Sequence, residues 1–472
     1  MFKKILVANR GEIASRIIRA CKELNIRTVA IFSEQDATSL FVKKADESYM
    51  VGPGPLEGYL NPYRIVDLAK KIGVDAIHPG YGFLSENSKF ARLCERRGIT
   101  FIGPSSKAIS DMGNKITARA TMIAAGIPVL PGSDGPVGNI KEARVCAKEI
   151  GYPVMVKAAG GGGGRGLRVA LDESELENAY ESARTETKAA FGESEVFLEK
   201  YIEKPRHIEF QILADKSGKT IHLGERDCSI QRRHQKLIEI SPSLFLDDKL
   251  RAEMGAVAVA AAKAVDYTNA GTVEFLMDKD KNYYFLEMNT RIQVEHPVTE
   301  EVTGIDLVRK QIEIAYGLPL GIDQEDVRIF GFAMQCRINA EDPKHNFAPC
   351  SGRVTSYYSP GGIGVRIDGT IYRDFTISPY YDSLIVKLIV TGSTWNETVS
   401  RMRRSLDEFV IRGVKTTIPY LRNIMNDTDF KDGNFDTSYI DRKPELLKYY
   451  EFGEQADIIA AISAAIAADY GF

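Results

Sequence analysis

The stretch Val154-Met155-Val156-Lys157, followed by two alanines and the run GGGGGRG over residues 160–166, carries the most information about the fold. An apolar run typical of a β-strand ends in a lysine, and six of the seven residues from 160 to 166 are glycine. Glycine lets backbone N–H groups approach a phosphate closely, and it lets a loop open and close. The stretch therefore predicts a phosphate-binding lid that contains Gly162, Gly163 and Gly164, with Lys157 beside the phosphates.

The alternative interpretation of this glycine run is a flexible linker. Linkers usually mix glycine with serine and join domains, whereas strand-like sequence flanks this run on both sides. The run also differs from the Walker pattern G-x-x-x-x-G-K-[ST], because its lysine precedes the glycines. A phosphate-binding loop of another class is the better explanation.

Toward the N-terminus, residues 1–110 alternate short apolar runs with residues at helical spacing. The runs Ile5–Ala8, Thr28–Phe32, Ala76–Ile77 and Phe101–Ile102 are predicted strands, and strands that alternate with helices form a parallel sheet. The first turn reads ANRGE rather than G-x-G-x-x-G, so a dinucleotide site is not supported. Ligands of open α/β sheets bind at the carboxyl ends of the strands. The polar residues expected there are Arg10, Glu12, His78, Tyr81 and Glu86.

Toward the C-terminus, strand-like segments dominate. HIEFQIL, TVEFLM and YYFLEM follow residue 204, and GFAMQCRI, GRVTSYY and LIVKLIV follow residue 330, which predicts two β-rich parts. Helices are predicted at Glu253–Val265 and Trp395–Phe409. In the tail over residues 451–472, isoleucines at helical spacing form an apolar stripe that should be buried. The stripe either packs on its own domain or docks on a partner. The stripe consists of Ile458, Ile459, Ile462 and Ile466.

Two acidic strands are predicted to form a hairpin, Thr272–Leu276 and Phe285–Asn289, joined by DKDKN. Such a hairpin aims Glu274, Glu287 and Asn289 at one point, and hard cations such as Mg²⁺ prefer oxygen ligands. Both glutamates lie between apolar neighbours, and carboxylates are rarely buried without a partner. We therefore predict a metal site, with two surface carboxylates as the alternative.

Two further segments are dense in polar residues, TRIQVEHP at 290–297 and ERDCSIQRRHQK at 225–236. In the first, paired N–H groups of Arg291 could fix an anion, and Glu295 could act as a general base. The second is equally consistent with a solvated face and with an anion site. That anion site would be formed by Gln231, His234 and Lys236. Cys228 is interpreted as structural, because nothing in the sequence marks a base partner for it.

Composition and charge exclude several classes of function. The net charge of -3 gives no basic field of the kind that holds nucleic acid. No apolar stretch approaches the roughly 20 residues needed to cross a bilayer, and the N-terminus lacks the long apolar core of a signal peptide. The six cysteines are scattered without a C-x-x-C pair, so neither a disulfide framework nor a zinc site is indicated. We expect a cytoplasmic protein without nucleic-acid or membrane partners.

The chain contains, in this order, HPGYGFLSEN, the glycine loop, EKYIEKPRHIEFQ, ERDCSIQRRHQK, EFL…EMNTRIQVEHPVTE and CRINAEDP. With these motifs in this order, the sequence resembles the biotin carboxylase family from Lys4 to about Tyr439. The resemblance implies an α/β and α+β chain with an ATP-grasp fold. Its expected parts are a Rossmann-like preATP-grasp domain at 1–114, an ATP-grasp domain at 115–330 with a mobile lid at 132–203, a β-rich C-terminal domain at 331–446 and a helical tail at 447–472.

The resemblance also implies roles for individual residues. The residues expected to bind ATP at its phosphates, adenine or lid are Lys115, Lys157, Gly162, Gly163, Gly164, Glu199, Lys200, Ile202, His207, Gln231 and His234. Two magnesium or manganese ions are expected at Glu274, Glu287 and Asn289. The residues expected to bind bicarbonate or biotin are Arg291, Gln293, Val294, Lys236, Arg337 and Tyr81. Glu295 is the expected base, and Arg291, Arg337 and Lys236 complete the expected catalytic set.

The activity that the resemblance implies is the ATP- and bicarbonate-dependent carboxylation of biotin. No Met-Lys-Met biotinylation site occurs, and no carboxyltransferase domain fits within 472 residues. We therefore expect a partner, either a biotin carboxyl carrier protein or a biotinylated carboxyltransferase subunit, in a pyruvate, 2-oxoglutarate or acyl-CoA carboxylase. A homodimer is also expected. The alternatives are another ATP-grasp carboxylate–amine ligase and a regulatory nucleotide-binding subunit without catalysis.

Overall fold

The computed structural model describes residues 1–158, 167–191, 195–449, 459–460, 462–466 and 469. The predicted lid residues Gly162, Gly163 and Gly164 lie outside the described residues. Among the helices of the described ranges, none is long and apolar enough to cross a membrane.

The N-terminal part is a five-stranded parallel sheet with helices between its strands, as predicted. Its strand order is β3-β2-β1-β4-β5, and Ile5, Leu6 and Val7 of the central strand are fully buried. Parallel strands carry such continuous apolar runs because helices cover both faces of the sheet. The elements are β1 (Lys4–Val7), α1 (Gly11–Glu23), β2 (Arg27–Ser33), α2 (Leu40–Lys44), β3 (Glu47–Gly52), α3 (Pro62–Ile72), β4 (Ala76–His78), α4 (Ser88–Arg96), β5 (Thr100–Phe101) and α5 (Ser106–Gly113).

The segment predicted as the lid region contains a three-stranded antiparallel sheet of order β7-β6-β8. Its central strand is the predicted apolar run, and Lys157 lies near the end of that strand, opposite Leu167 and Phe197. Helix α6 (Lys115–Ala124) precedes the segment. The segment's elements are α7 (Ile140–Ile150), β6 (Val154–Ala158), β7 (Leu167–Ala170), α8 (Glu173–Phe191) and β8 (Val196–Lys200).

An eight-stranded antiparallel sheet forms the centre of the molecule, in the order β13-β12-β9-β10-β11-β14-β21-β19. The sheet runs across residue 330, because β11 pairs with β14. The predicted helix at Glu253–Val265 is present as α9. The elements before residue 330 are β9 (Arg206–Ala214), β10 (Thr220–Arg232), β11 (Gln235–Ser241), α9 (Asp248–Lys263), β12 (Asn269–Met277), β13 (Tyr283–Asn289), α10 (His296–Thr303) and α11 (Leu307–Tyr316).

The part after residue 330 is rich in strands, and α12 and α13 pack on its core. Its elements are β14 (Phe332–Asn339), β15 (Glu341–Asp342), β16 (Ala348–Pro349), β17 (Gly352–Arg353), β18 (Ser356–Tyr358), β19 (Val365–Gly369), β20 (Thr376–Ile377), β21 (Leu384–Gly392), α12 (Trp395–Glu408), β22 (Val410–Arg412), α13 (Ile418–Asn426) and α14 (Thr428–Lys431). In the described residues of the whole chain, four single-turn 3₁₀ helices lie at Glu34–Asp36, Gln324–Asp326, Pro343–His345 and Pro444–Leu447. The described tail residues 459–460, 462–466 and 469 are helical.

Candidate active site

Lys236, at the start of β11, lies at the centre of a buried cluster of carboxylates. Its Nζ donates to Glu209 Oε2 at 2.6 Å, to Glu295 Oε1 at 2.7 Å and to Glu274 Oε1 at 3.1 Å. Burial alone lowers the pKa of this amine, but the three carboxylates raise the pKa well above its ordinary value. Lys236 is therefore a fixed positive charge, and the interpretation of its segment as a solvated face is wrong at this position.

Glu295 is buried at the start of α10, between two cations. Its Oε1 accepts from Lys236, and its Oε2 accepts from Arg337 Nη2 at 3.0 Å. Burial raises the pKa of the Glu295 carboxyl, but Lys236, Arg337 and the more distant Arg226 outweigh this effect and hold the pKa below its ordinary value. Glu295 is therefore an ionised carboxylate whose two oxygens are both oriented, and it can accept a proton from a substrate within hydrogen-bond reach.

Arg337, on β14, reaches the cluster from the part of the sheet that follows residue 330. Its Nε donates to the fully buried Glu239 of β11, and Gln335 donates to the other oxygen of Glu239 at 2.9 Å. Glu239 and Glu295 thus hold the Arg337 guanidinium from two sides. Bidentate and charge-assisted bonds of this kind restrict an arginine to one orientation.

The predicted acidic hairpin is β12 with β13, and it pairs Glu274 directly with Glu287. Glu274 is 3% exposed and accepts from Asn289 Nδ2 at 2.9 Å. Glu287 is more accessible, and its pKa is raised because burial partly withdraws the carboxyl from water and because Glu274 repels its charge. Two carboxylates that face each other and an amide beside them match the oxygen donors that Mg²⁺ and Mn²⁺ prefer. The residues thus fit the implied metal.

His207 lies beside this pair, on β9. Its Nε2 is 2.6 Å from Glu274 Oε2, and Glu274 lies opposite Glu209 in the pairing of β12 with β9. Side-chain ligand atoms of His207, Glu209 and Glu274 all lie within 4.8 Å of one another. The side chains at this end of the cluster therefore offer ligand atoms to a metal cation. The same atoms can instead pair with cationic side chains that bind a phosphate.

The polar loop after β13 joins the hairpin to Glu295. Arg291 donates from Nε to Glu86 Oε2 and from Nη2 to Asn289 Oδ1, both at 2.9 Å. Gln293 Nε2 donates to Glu274 Oε1 at 2.6 Å, and the Val294 carbonyl accepts from Lys387 Nζ at 3.0 Å. The structure thus places Arg291, Gln293, Val294 and Glu295 along one wall of the charged cluster.

Arg226, on β10, is a fully buried residue that supports this wall. Its guanidinium donates to Glu209, to Gln211, to Thr272 and Thr299, and to Gln293 Oε1, the last at 2.7 Å. A guanidinium has five N–H donors, and these five bonds use them all. Because Gln293 accepts through its oxygen, its amide nitrogen is turned toward Glu274.

Tyr81 lies on the N-terminal side of the charged cluster, after β4, as predicted from the carboxyl ends of the parallel strands. Its hydroxyl donates to Glu12 Oε1, and Glu12 Oε1 lies 3.0 Å from Lys387 Nζ. Glu12 and Glu86, predicted at the same strand ends, thus also contact residues of the cluster, whereas two other predicted residues do not. Arg10 pairs with Asp36, and His78 is fully buried.

The predicted nucleotide residues lie around the base of the lid segment. Lys157 and Glu199 form an ion pair between β6 and β8, and Lys200 Nζ donates to the carbonyls of Gly151 and Tyr152. Ile202 is half-buried after β8. Two more predicted residues lie at the turn of β10 and β11, where Gln231 is buried and His234 is exposed in the left-handed region at φ 64°. Lys115, at the first turn of α6, is exposed, and its charge slightly opposes the rise in the pKa of Glu287.

Four further residues of the cluster were not predicted as site residues. They are Glu209, Arg226, Glu239 and Lys387. All four lie in strands, and all four are fully buried. A charged residue inside an apolar strand is the signal that could have identified them, because charges are rarely buried unless they are paired. Cys228, interpreted as structural, is fully buried, and burial raises the pKa of its thiol well above its ordinary value.

Family models cover most of the chain. Residues 1–109 match the biotin carboxylase N-terminal domain, and residues 335–442 match the biotin carboxylase C-terminal domain. Between them, residues 114–323 match the ATP-binding domain of the carbamoyl-phosphate synthase L chain. The chain is 57% identical over 471 residues to the 2-oxoglutarate carboxylase small subunit of Hydrogenobacter thermophilus, covering 100% of both chains. It is 56% identical over 443 residues to biotin carboxylase 1 of Bacillus subtilis, covering 93% of this chain and 98% of the relative.

Solved structures agree with these relatives. The biotin carboxylase domain dimer of the H. thermophilus 2-oxoglutarate carboxylase, in complex with MgADP, ADP and bicarbonate, has a TM-score of 0.91 at 57% identity and covers 96% of this chain and 100% of its own. A biotin carboxylase from Campylobacter jejuni in complex with a β,γ-ATP ligand has a TM-score of 0.90 at 47% identity, covering 94% of this chain and 99% of its own. This chain therefore belongs to the biotin carboxylase family.

Proposed function

We propose that the protein uses ATP to activate bicarbonate and transfers the carboxyl group to biotin on a separate carrier. The observation that carries this function is Glu295, an ionised buried carboxylate held between Lys236 and Arg337 at 2.7 and 3.0 Å. A base of this kind suits a small substrate whose proton must be removed within a charged, enclosed cleft. The complexes of the relatives with nucleotide and bicarbonate support the same choice of substrates.

Bicarbonate is proposed to bind along the wall formed by Arg291, Gln293 and Val294, next to Glu295 and Lys236. Arg291 supplies paired N–H donors to the anion, and Glu295 takes its proton. The deprotonated oxygen then attacks the γ-phosphorus of ATP to form carboxyphosphate and ADP. Because Lys236 stays protonated, it neutralises charge on the attacking anion and on the phosphoryl oxygens.

ATP is proposed to lie between the lid segment and the central sheet. Lys157, His207 and Lys115 are assigned to its phosphates, and Glu274, Glu287 and Asn289 to the divalent ions that accompany it. Such ions stabilise the charge that develops during phosphoryl transfer. The remaining nucleotide residues are assigned to the adenine, the hinge and the lid. They are Glu199, Lys200, Ile202, Gln231, His234, Gly162, Gly163 and Gly164.

Biotin is proposed to bind between Tyr81 and Arg337. Carboxyphosphate breaks down to CO₂ and phosphate, and this phosphate takes the N1 proton of biotin. The resulting enolate attacks CO₂, and Arg337 stabilises its negative oxygen. The guanidinium suits this role because Glu239 and Glu295 already fix its orientation, so that little reorganisation is needed as the charge develops.

The protein is proposed to work as one subunit of a larger carboxylase. The partner carries biotin, either as a carrier protein or as a biotinylated carboxyltransferase subunit, and the relative called a small subunit supports this arrangement. The dimer of the solved relative supports a homodimer. A cytoplasmic location is part of the same proposal, and it is supported by six free cysteines.

ATP hydrolysis with bicarbonate and Mg²⁺, measured with and without free biotin, tests this function. Phosphate release should require bicarbonate and rise with biotin, and it should fall at least about 100-fold in Glu295→Gln and in Lys157→Ala. Glu313→Gln is the matched control, since this carboxylate pairs with Arg309 and Lys310 of its own helix. Hydrolysis that is indifferent to bicarbonate and biotin would point to another ATP-grasp ligase.

A further inference from the structure

Lys387 is a buried lysine in the middle of the apolar strand β21. Its exposed fraction is 0%, and it lies directly opposite Arg337 of β14 and Asp368 of β19. Residues that lie opposite each other in a sheet project from the same face. Lys387 therefore shares a face with the arginine assigned to biotin, although none of the roles proposed above involves it.

The ammonium of Lys387 connects two walls of the cleft. Its Nζ donates to the Val294 carbonyl at 3.0 Å and lies 3.0 Å from Glu12 Oε1. The same Glu12 oxygen accepts from the Tyr81 hydroxyl. Lys387, from the C-terminal part of the sheet, thus contacts the loop that precedes Glu295. Through Glu12 it is also linked to Tyr81 of the N-terminal part.

We propose that Lys387 is a positioning residue shared by the two substrates. Through the Val294 carbonyl it fixes the bicarbonate wall, and through Glu12 it fixes Tyr81 on the biotin side. The inference rests on the proposed function, because that function assigns bicarbonate to Val294 and biotin to Tyr81.

The bicarbonate side depends on the peptide between Val294 and Glu295. Its carbonyl is held by Lys387, and the next residue, which carries the oriented carboxylate, immediately precedes helix α10. Loss of the ammonium leaves a half-buried carbonyl without its donor, which favours rotation of this peptide. Such a rotation moves the main chain that binds bicarbonate, while the ATP residues on β6, β8 and β9 keep their contacts.

The biotin side depends on Glu12 remaining an acceptor. Glu12 is buried, and its Oε2 has no hydrogen-bond partner among the described residues. Burial raises the pKa of Glu12, and Lys387 opposes that rise. Without Lys387 a buried carboxylate tends to take up a proton, and a protonated Glu12 holds the Tyr81 hydroxyl less firmly.

Two straight-chain apolar variants, Lys387→Met and Glu12→Met, distinguish the effect on bicarbonate binding from the effect on biotin binding. Lys387→Met should raise KM for bicarbonate and KM for free biotin by about tenfold each, with KM for ATP within about twofold. Glu12→Met should raise KM for biotin by about fivefold but leave KM for bicarbonate within about twofold, because the contact between Lys387 and Val294 remains. Melting temperatures are recorded for both variants.

A purely structural role for Lys387 would lower the melting temperature and kcat without a selective change in KM for bicarbonate and biotin, and this result would overturn the inference. If Lys387→Met does not fold, an unchanged KM for biotin in Glu12→Met overturns it equally. Failure of the proposed function is distinguishable, because the unaltered chain would then show no bicarbonate-dependent hydrolysis.

Discussion

Glu295 combines two properties that rarely occur together, deep burial and a negative charge at neutral pH. Its exposed fraction is 2%, and the surrounding cations keep the pKa of the carboxyl below its ordinary value of 4.5. A group whose pKa is lowered by folding stabilises the folded state above its unfolded pKa, and this contribution is lost as the pH falls through the folded value. The ion pairs of Glu295 therefore stabilise the fold at neutral pH but not in strong acid.

Glu295→Gln should accordingly lower the free energy of unfolding by about 3 kcal/mol near neutral pH, because two cations lose a buried partner. The difference from the unaltered chain should shrink as the pH falls below about 4.5. Urea unfolding monitored by circular dichroism across this pH range measures the difference. A difference that is constant with pH would contradict the ion pairs as its source.

Arg226 has a different role from that of Glu295, because its guanidinium orients other residues. Arg226→Lys keeps the charge but cannot make five planar bonds, so we expect a loss of about 3 kcal/mol in unfolding free energy. Thr272→Val, which removes one of those bonds, should cost about 1 kcal/mol. The same urea titration compares the two variants. Equal losses would mean that the guanidinium does not act as a unit.

At the scale of elements, the register of the β12–β13 hairpin brings together two of the residues proposed to bind metal. Glu274 and Glu287 are a directly opposed pair, so both carboxylates lie on one face of the sheet. The strand β9 on the other side of β12 adds His207 and Glu209. A shift of one residue in this register would turn Glu287 to the opposite face.

Glu287→Gln should therefore raise the Mg²⁺ concentration needed for half-maximal ATP hydrolysis by about tenfold. Glu253→Gln is the matched control, because its carboxylate accepts from Tyr283 at the other end of the same hairpin. A magnesium titration of phosphate release distinguishes the two variants. An unchanged requirement in Glu287→Gln would place the ion on other residues.

The same hairpin shows which parts of the site could be predicted from the sequence alone. Apolar neighbours on both sides of each glutamate and the turn DKDKN were sufficient to predict both strands and to bring Glu274 near Glu287. By contrast, Arg337 and Glu239 are separated by 98 positions in the chain, and they meet only because β14 pairs with β11. Periodicity identifies the residues that share a face of one strand, but it does not identify the neighbouring strand. The contacts of Arg226 and Lys387 were unpredicted for the same reason.

At the scale of the whole molecule, the central sheet makes the site depend on distant parts of the chain. Strands before and after residue 330 form one sheet, so Arg337 and Lys387 reach residues of the ATP-grasp part without crossing a domain gap. Lys387 also contacts Glu12 of the N-terminal part. We expect that a fragment ending near residue 330 loses the site as well as the C-terminal part, because β11 would become an exposed sheet edge.

The tail presents an apolar stripe that the described residues leave uncovered. Ile459, Ile462 and Ile466 are 63%, 54% and 53% exposed, and their spacing places them on one face of a helix. The family models end at residue 442, whereas the alignment with the relative called a small subunit covers the whole chain. Exposure of this kind favours the docking interpretation over packing on the protein's own domain.

Deletion of residues 450–472 should therefore leave ATP hydrolysis with free biotin unchanged, because no residue assigned to the site lies there. Recovery of the biotin-bearing partner subunit in a pull-down should fall by about tenfold or more, as expected when a buried apolar contact is lost. The triple variant Ile459→Ser, Ile462→Ser and Ile466→Ser keeps the length of the tail and should have the same effect. Equal recovery by all three proteins would show that the stripe does not contact that partner.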